Sequence, residues 1–157
     1  MEMLTPVAVS QSTRIRIASR RATEFIDVTD DLRRLVASSG IRNGILNVQS
    51  LHTTAAIIVN EHEPLLLADF EAFLERVAPQ ASHYGHDDTH TRTVNVLAGE
   101  RPNGHAHCRA LLLPASVCLN VADCQLVLGI WQRIFVVELD GPRHRELSVV
   151  IAGEGMV

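Results

Sequence analysis

Lysine is absent from this 157-residue chain, and all 14 basic residues are arginine. A biased coding composition accounts for such an absence without any function. It still leaves every positive side chain a permanently charged fork suited to carboxylate and phosphate. A basic surplus is also missing. The formal net charge is −4, which argues against a nucleic-acid-binding domain. Cysteine is scarce: Cys108, Cys118 and Cys124 are odd in number and contain no CxxC pair, so a disulfide framework is not expected and a reducing cytoplasm fits better. Cys118 and Cys124 lie in strand-like stretches and are expected to be small buried residues. Apolar runs such as Ala55 to Val59 fall far short of the ~20 residues that span a bilayer. Met1 to Ser12 has no basic region followed by a long apolar stretch, so no secretory signal is expected. No repeat or low-complexity linker divides the chain. These absences leave a cytoplasmic single domain over 1–157, with 1–12 as a flexible or peripheral lead-in.

Periodicity predicts the elements. Arg14 to Ile17 alternates as a half-buried strand, and Glu24 to Val28 reads as a second. Thr29 makes a good N-cap, with Asp30 and Asp31 in the first turn and Leu32, Leu35 and Val36 as an apolar stripe; Gly40 closes this short helix. Asn43-Gly44 is a turn signal, and Ile45 to Gln49 and the unbroken apolar Ala55 to Asn60 read as strands. Glu63-Pro64 opens a helix in which Leu66, Phe70, Phe73, Leu74 and Val77 recur at helical spacing, opposite Asp69, Glu71 and Glu75; Pro79 ends it. Residues 79–93 read as a long polar loop. Six strands are expected beyond it: Val94–Leu97, His105–Leu113, Val117–Val121, Leu126–Leu128, Ile134–Leu139 and Arg145–Ile151. Asp140 to Arg143 forms a turn between the last two. The expected fold class is α+β: a compact domain of mostly antiparallel sheet with two main helices.

Histidine is the chemically distinctive residue. Five of the eight histidines, namely His83, His86, His90, His105 and His107, fall in one short stretch. Imidazole is a common transition-metal ligand and the side chain most able to move protons near neutral pH. His105-Ala106-His107 is the most suggestive pattern, because residues i and i+2 share a face only on extended backbone, so a strand would point both rings one way. Facing water is an equal alternative. His52 stands between two strands and is ordinarily a hydrogen-bonded structural residue. His86 beside Asp87 is a ligand with its orienting carboxylate, a general base, or a solvated loop residue. Glu61 caps the following helix or projects into a cleft. Arg101, Arg109, Arg133 and Arg143 are candidates to gather round phosphate. Trp131, the only tryptophan, is a core residue or a stacking platform.

Taken in order, His52-Thr53-Thr54-Ala55-Ala56-Ile57, Asn60-Glu61, Pro64, Asp69, His86-Asp87, His107 with Arg109-Ala110-Leu111-Leu112, Ser116 and Leu128-Gly129-Ile130-Trp131-Gln132 strongly resemble the YjbQ-like family, also called secondary thiamine-phosphate synthases. The resemblance runs from about Arg14 to Glu154. It implies a homotrimer with sites near subunit boundaries and a histidine-lined pocket able to hold a divalent metal. His52, His86 and His107 match the recurrent histidines and are the implied ligands, with His105 as a second-rank candidate. Glu61 and Asp87 match acidic positions and are the implied general acid or base. Thr53, Arg109, Ser116, Trp131 and Gln132 are the implied substrate-binding residues. Three positions depart from the family pattern: Pro114 and Cys124 replace turn glycines, and Ile130 replaces a threonine beside the tryptophan.

The implied reaction joins hydroxymethylpyrimidine diphosphate to thiazole phosphate, giving thiamine phosphate and diphosphate. Such chemistry ordinarily uses Mg²⁺ on oxygen ligands, whereas three imidazoles favour zinc or another transition metal. Synthesis as a side activity relieves that tension. The alternatives are a metal-dependent hydrolase of a small phosphorylated metabolite and a non-catalytic metal- or ligand-binding trimer.

Overall fold

The structure is a computed structural model in which residues 6–156 are described. Their order is β1 (Pro6–Ala18), β2 (Glu24–Asp27), α1 (Thr29–Ser38), β3 (Ile41–Ser50), β4 (Ala55–Glu61), α2 (Pro64–Val77), a single 3-10 turn (Gly85–Asp87), α3 (Gly104–Ala110), β5 (Ser116–Ala122), β6 (Gln125–Leu126), β7 (Gln132–Glu138) and β8 (His144–Met156). The strands form two sheets, ordered β1-β8-β3-β5-β6 and β2-β7-β4, and all their pairings are antiparallel. The fold is thus α+β, as the sequence predicts. Among the described residues no helix is long and apolar enough to cross a membrane.

The layering follows from the period-two alternation of strands. In β7 and β4, Ile134, Val136 and Ile57 face the five-stranded sheet and α1, where they meet Leu46, Val48, Leu147, Val149, Leu32 and Val36. Their neighbours Val137 and Ala56 face the other way and pack with Leu139 on Leu74 of α2 and Ala106 of α3. The three-stranded sheet is therefore buried on both faces, which is why its strands read as continuous apolar runs. In α2, Pro64 takes the first turn, and the Glu63 carboxylate accepts from the amides of Leu65 and Leu66 (3.0 and 2.8 Å).

Several expectations are corrected. Asn43-Gly44 is not a turn but lies inside β3, next to a register shift between Ile41 and Asn43. Glycine is needed there for close approach: a Cβ on Gly44 would collide with the Ala152 carbonyl and stand 2.7 Å from the Gly153 Cα. Thr29 does not cap α1. Its Oγ1 instead accepts from the Ile134 amide (2.8 Å), while Asp27 Oδ1 accepts from the Thr29 amide (2.9 Å). Val94–Leu97 is not a strand, Leu126–Leu128 is reduced to Gln125–Leu126, and His105–Leu113 is helical through Ala110. Ala106, Ala110 and Leu113 recur at i, i+4 and i+7 and all pack on the β7–α2 core, so the helical face prevails over the His-x-His alternation. Cys118 and Cys124, expected to be buried, are exposed and unpaired. Cys124 has φ +63°, in the left-handed region that glycine favours. Pro6 to Ser12, read as a lead-in, pairs with β8 as the outer half of β1; residues 1–5 lie outside the described residues.

One charged pair sits inside this apolar frame. Glu138, fully buried at the end of β7, binds Arg145 of β8 through Arg145 Nε (2.7 Å) and also accepts from Ser19 Oγ (2.8 Å) and the Asp140 amide (2.8 Å). Arg145 Nη2 also donates to Thr54 Oγ1 (3.0 Å). Burial pushes the Glu138 carboxyl up, but the bonds from Arg145, the Asp140 amide and Ser19 outweigh it and hold the group below its ordinary range.

Glu138→Gln keeps the shape and removes the charge, leaving the Arg145 guanidinium buried without its counter-ion. The expected loss is about 3–5 kcal/mol in urea unfolding at pH 7; a loss below about 1 kcal/mol would show that the pair does not carry this weight. Because the folded carboxyl titrates below its unfolded value, its contribution is complete above the ordinary glutamate range and fades as pH falls through the folded value. The variant's stability deficit should therefore shrink on acidification. Separately, Gly44→Ala should cost about 1–3 kcal/mol by overpacking β3 against β8, whereas Gly85→Ala, with open space around its Cβ position, should stay within about 0.5 kcal/mol. Paired thermal melts check both.

Candidate functional site

A polar cleft of about 680 Å³ opens where the β7–β8 turn, the β3–β4 corner, α3 and the 88–102 loop meet. Thr53 and Thr54 come from the corner, Arg143 and Arg145 from the turn and the start of β8, and His107 from α3. Asp140, Asn103, Arg101, Glu100 and His86 complete its walls. Two features fix the geometry. First, Asp87 Oδ1 accepts from the amides of Asn103 and Gly104 (2.9 and 2.8 Å), tying the 3-10 turn to the start of α3. Gly104 is required at that junction, since a Cβ there would collide with the Tyr84 side chain. Second, Asp140 accepts from Asn103 Nδ2 (3.0 Å) and pairs with Arg143 (2.7 Å) and, more loosely, Arg101 (3.7 Å).

His86 and His107 meet edge to face, with ring centroids 4.5 Å apart. Burial, then the neighbouring His86, hold the His107 imidazole below its ordinary value, so it is neutral at pH 7 and able to accept a proton. Arg92 Nη1 lies 2.7 Å from His86 Nε2 and donates to the His86 carbonyl (2.9 Å), while its other arm pairs with Glu100. A guanidinium only donates, so this bond requires an unprotonated Nε2 and places the ring proton on Nδ1.

The residues singled out from sequence are divided by the fold. Thr53, His86 and His107 line the cleft, as do Arg101 and Arg143 of the arginines. His105 does not join His107: on a helix, i and i+2 diverge by about 200°, and His105 faces a separate small chamber. His52 is half-buried, and its Nε2 accepts from the Glu146 amide (2.7 Å). Burial and then the Arg145 charge hold its pKa down, which suits an acceptor. Asp87 anchors α3 as described. Arg109 is buried at 2% exposure and donates to the Ala78 carbonyl (3.0 Å), Thr23 Oγ1 (3.0 Å) and Glu75, so no part of its fork reaches the cleft. Glu61 pairs with Gln132 at the far end of β4, about 23 Å along the strand from Thr54 at a rise of ~3.3 Å per residue. Trp131 lies beside Gln132 and is 68% exposed, and Gln132 Oε1 accepts from the Gly129 amide (2.7 Å). Ser116 is exposed at the start of β5, opposite Gln49. Ile130 is 87% exposed at that same far end.

The implied metal does not fit this arrangement. His52 Nε2 is already an acceptor for a backbone amide, His86 Nε2 faces a guanidinium, and among the described residues no three His, Cys, Asp or Glu side chains are grouped to hold an ion. Sequence reasoning missed Arg92, Asn103, Asp140 and Arg145 as partners in the site. Asp140 belonged to a recognised turn, but its convergence with Asn103 and two arginines is tertiary and left no local signal.

Comparison with known proteins agrees with this architecture. Residues 13–154 match the family described as UPF0047 protein YjbQ-like. A UPF0047 protein of Methanothermobacter thermautotrophicus is 43% identical over 138 residues, covering 88% of this chain and 89% of that protein. One from Archaeoglobus fulgidus is 37% identical, covering 86% and 96%. The crystal structure of a YbjQ-like protein of unknown function from Sulfolobus solfataricus superimposes with a TM-score of 0.83 at 34% identity, covering 94% of this chain and 99% of that one. With the family match extending over nearly all of its length, this chain belongs to the YjbQ-like UPF0047 family.

Proposed function

We propose that the cleft binds a small phosphorylated metabolite and supports transfer of the thiamine-phosphate synthase type. The observation that carries this reading is the juxtaposition of Arg101 and Arg143, both with solvent-accessible guanidinium groups, and the His86–His107 pair around one cavity. In the transfer, the lone pair of the thiazole nitrogen forms a bond to the methylene carbon of the pyrimidine. The carbon–oxygen bond to diphosphate breaks, and its electron pair leaves with the diphosphate. No proton must be removed, so the need is for stabilisation of the departing anion. Arg101 and Arg143 supply fixed positive charge there, and preorganised donors of this kind are the strongest aid to a leaving anion. Asn103 and Asp140 hold Arg143 in place. No step is routed through a metal, because the imidazoles are not arranged as a ligand set.

The neutral His107 favours a second reading, hydrolysis of a phosphate ester with this imidazole taking the proton of the attacking water. Incubation with hydroxymethylpyrimidine diphosphate, with and without thiazole phosphate, separates the two. Thiamine phosphate formed only with both substrates supports transfer. Phosphate released without thiazole supports hydrolysis, and binding without turnover supports a non-catalytic binder. Under the transfer reading, Arg143→Ala should lower turnover roughly 10²-fold; unchanged turnover would remove the cleft from this chemistry.

We further propose that the chain works as a homotrimer. Leu111, Ile130 and Trp131 are largely exposed, and an apolar groove of about 640 Å³ lies between α2 and β4, lined by Phe25, Ile58, Phe70 and Phe73. Exposed apolar surface of this extent fits a subunit contact, and a head-to-tail contact would bring the far end of β4, with Glu61 and Trp131, towards a neighbour's cleft. Sedimentation equilibrium should give three times the chain mass for the native protein and a lighter species for a double variant, Ile130→Asp with Trp131→Ser. A monomeric native protein would overturn the assembly.

A further inference from the structure

Every hydrogen-bonding group of the Arg92 side chain but one is engaged. Nη1 serves His86 Nε2 (2.7 Å) and the His86 carbonyl (2.9 Å), while Nη2 serves the Asn95 carbonyl (3.4 Å) and Glu100. Both N–H groups of each terminal nitrogen are thereby used, and the Nε–H remains. Asn103 is in the converse position. Its Nδ2 donates to Asp140 (3.0 Å) and its backbone amide to Asp87 (2.9 Å). A carboxylate only accepts, so the bond to Asp140 fixes which way the side-chain amide is turned and leaves its oxygen over. Arg92 Nε and Asn103 Oδ1 are the buried side-chain polar atoms without a hydrogen-bond partner among the described residues, and Asn103 as a whole is 6% exposed. Groups of this kind are uncommon and call for an explanation. Both residues line one recess of about 10 Å³, which shares His86, Glu100, Arg101 and Asn103 with the cleft. That space is about what a single water molecule requires and is far too small for an organic ligand.

We propose that the recess binds one water molecule, which accepts from Arg92 Nε–H and donates to Asn103 Oδ1, and that through this water Arg92 positions the Asp140–Arg143 pair. The two atoms select their occupant. One only donates and the other only accepts, so a bridging species must accept on one side and donate on the other, as water does. Ammonium only donates, and its charge would face the guanidinium. Chloride would accept from Arg92 but would meet the Asn103 oxygen and the carboxylates of Asp87 and Glu100, which lie in the same wall. A buried water makes about three hydrogen bonds, and the Asp87 carboxylate offers an acceptor for its second proton. The bridge completes a line of contacts across the cleft: His86, Arg92, water, Asn103, Asp140 and Arg143. With both ends of its amide engaged, Asn103 holds Asp140, and Asp140 holds the Arg143 guanidinium. The water site depends on its own walls alone, whereas the positioning role rests on the reading of Arg143 as an anion-binding residue.

The test uses the full chain with nitrogen-15 in its arginine and asparagine side chains. The Arg92 Nε–H proton should show a cross-peak to water with the sign of a molecule bound for longer than the protein takes to tumble. A crystal grown in bromide should place a water, and no halide, between Arg92 Nε and Asn103 Oδ1. The water site is overturned if the cross-peak is absent, if bromide occupies the recess, or if the two atoms bond directly. Arg92→Lys keeps a positive charge beside Glu100 and puts a methylene where Nε stood. It should speed solvent exchange of the Asn103 Nδ2 hydrogens roughly tenfold, the equivalent of one buried hydrogen bond lost, and weaken binding of inorganic diphosphate several-fold. Arg92→Met, which also lacks a donor at that point, serves if the lysine variant fails to fold. His86→Gln removes the imidazole but leaves Arg92 Nε in place, so exchange at Asn103 should stay as in the native chain. Native exchange in the Arg92 variant, or equal acceleration in His86→Gln, would overturn the positioning role. A native chain that binds no diphosphate would count against the reading of the cleft and leave the water site standing.

Discussion

The bond between Glu138 and Arg145 joins the two sheets where they must also build a cleft. An ion pair with so little water around it holds together only when its remaining donors and acceptors are satisfied. Here Ser19 at the end of β1, Thr54 before β4 and the Asp140 amide complete the set. Those partners come from segments far apart in sequence, so satisfying one buried charge fixes the ends of β1, β4, β7 and β8 relative to one another. The cleft is assembled on that junction: Thr54 and Arg145 are members of both the pair's surroundings and the cleft wall, and Asp140 follows two residues after Glu138.

On the opposite side the decisive element is the short helix α3. It is held at its start by Asp87 and on its buried face by Ala106, Ala110 and Arg109. With its start and its buried face both engaged, its histidines have no freedom to choose a cavity. His107 goes to the cleft beside His86, and His105 goes to the smaller chamber. The division of labour between two imidazoles two residues apart is thus a product of helical pitch.

Much of the frame is legible in the sequence because it follows from period. Ile134 to Val137 and Ala55 to Val59 are unbroken apolar runs because the sheet that holds them is covered on both faces, and α2 shows its stripe and its Glu63-Pro64 start. What misleads is local chemistry with two meanings. Asn43-Gly44 has the composition of a turn, yet its glycine answers a neighbouring strand's backbone across the sheet. His105-Ala106-His107 has the spacing of a strand, while the Ala106, Ala110, Leu113 pattern in the same stretch is the one the core obeys. In the site, the histidine cluster is visible from composition, and so are Arg101 and Arg143 as candidates. Arg109 is equally arginine and equally near in sequence, but its place on the buried face of α3 ties it to Glu75 and Thr23. No feature of the one-dimensional pattern separates these fates, because they depend on which face of a helix meets the core.

The anchoring of α3 also governs where this chain can tolerate changes in length. One residue inserted between Gly104 and His107 would rotate the downstream ring by about 100°, moving it away from His86 while leaving the core face out of register. Only the middle of the preceding loop escapes such a constraint: Val94 to Gly99 are exposed, whereas Arg92 holds His86 and Glu100, and Arg101 pairs with Asp140. Variation in length should therefore accumulate between Val94 and Gly99, where it reshapes the mouth of the cleft while the contacts of Arg92 and Arg101 keep their place.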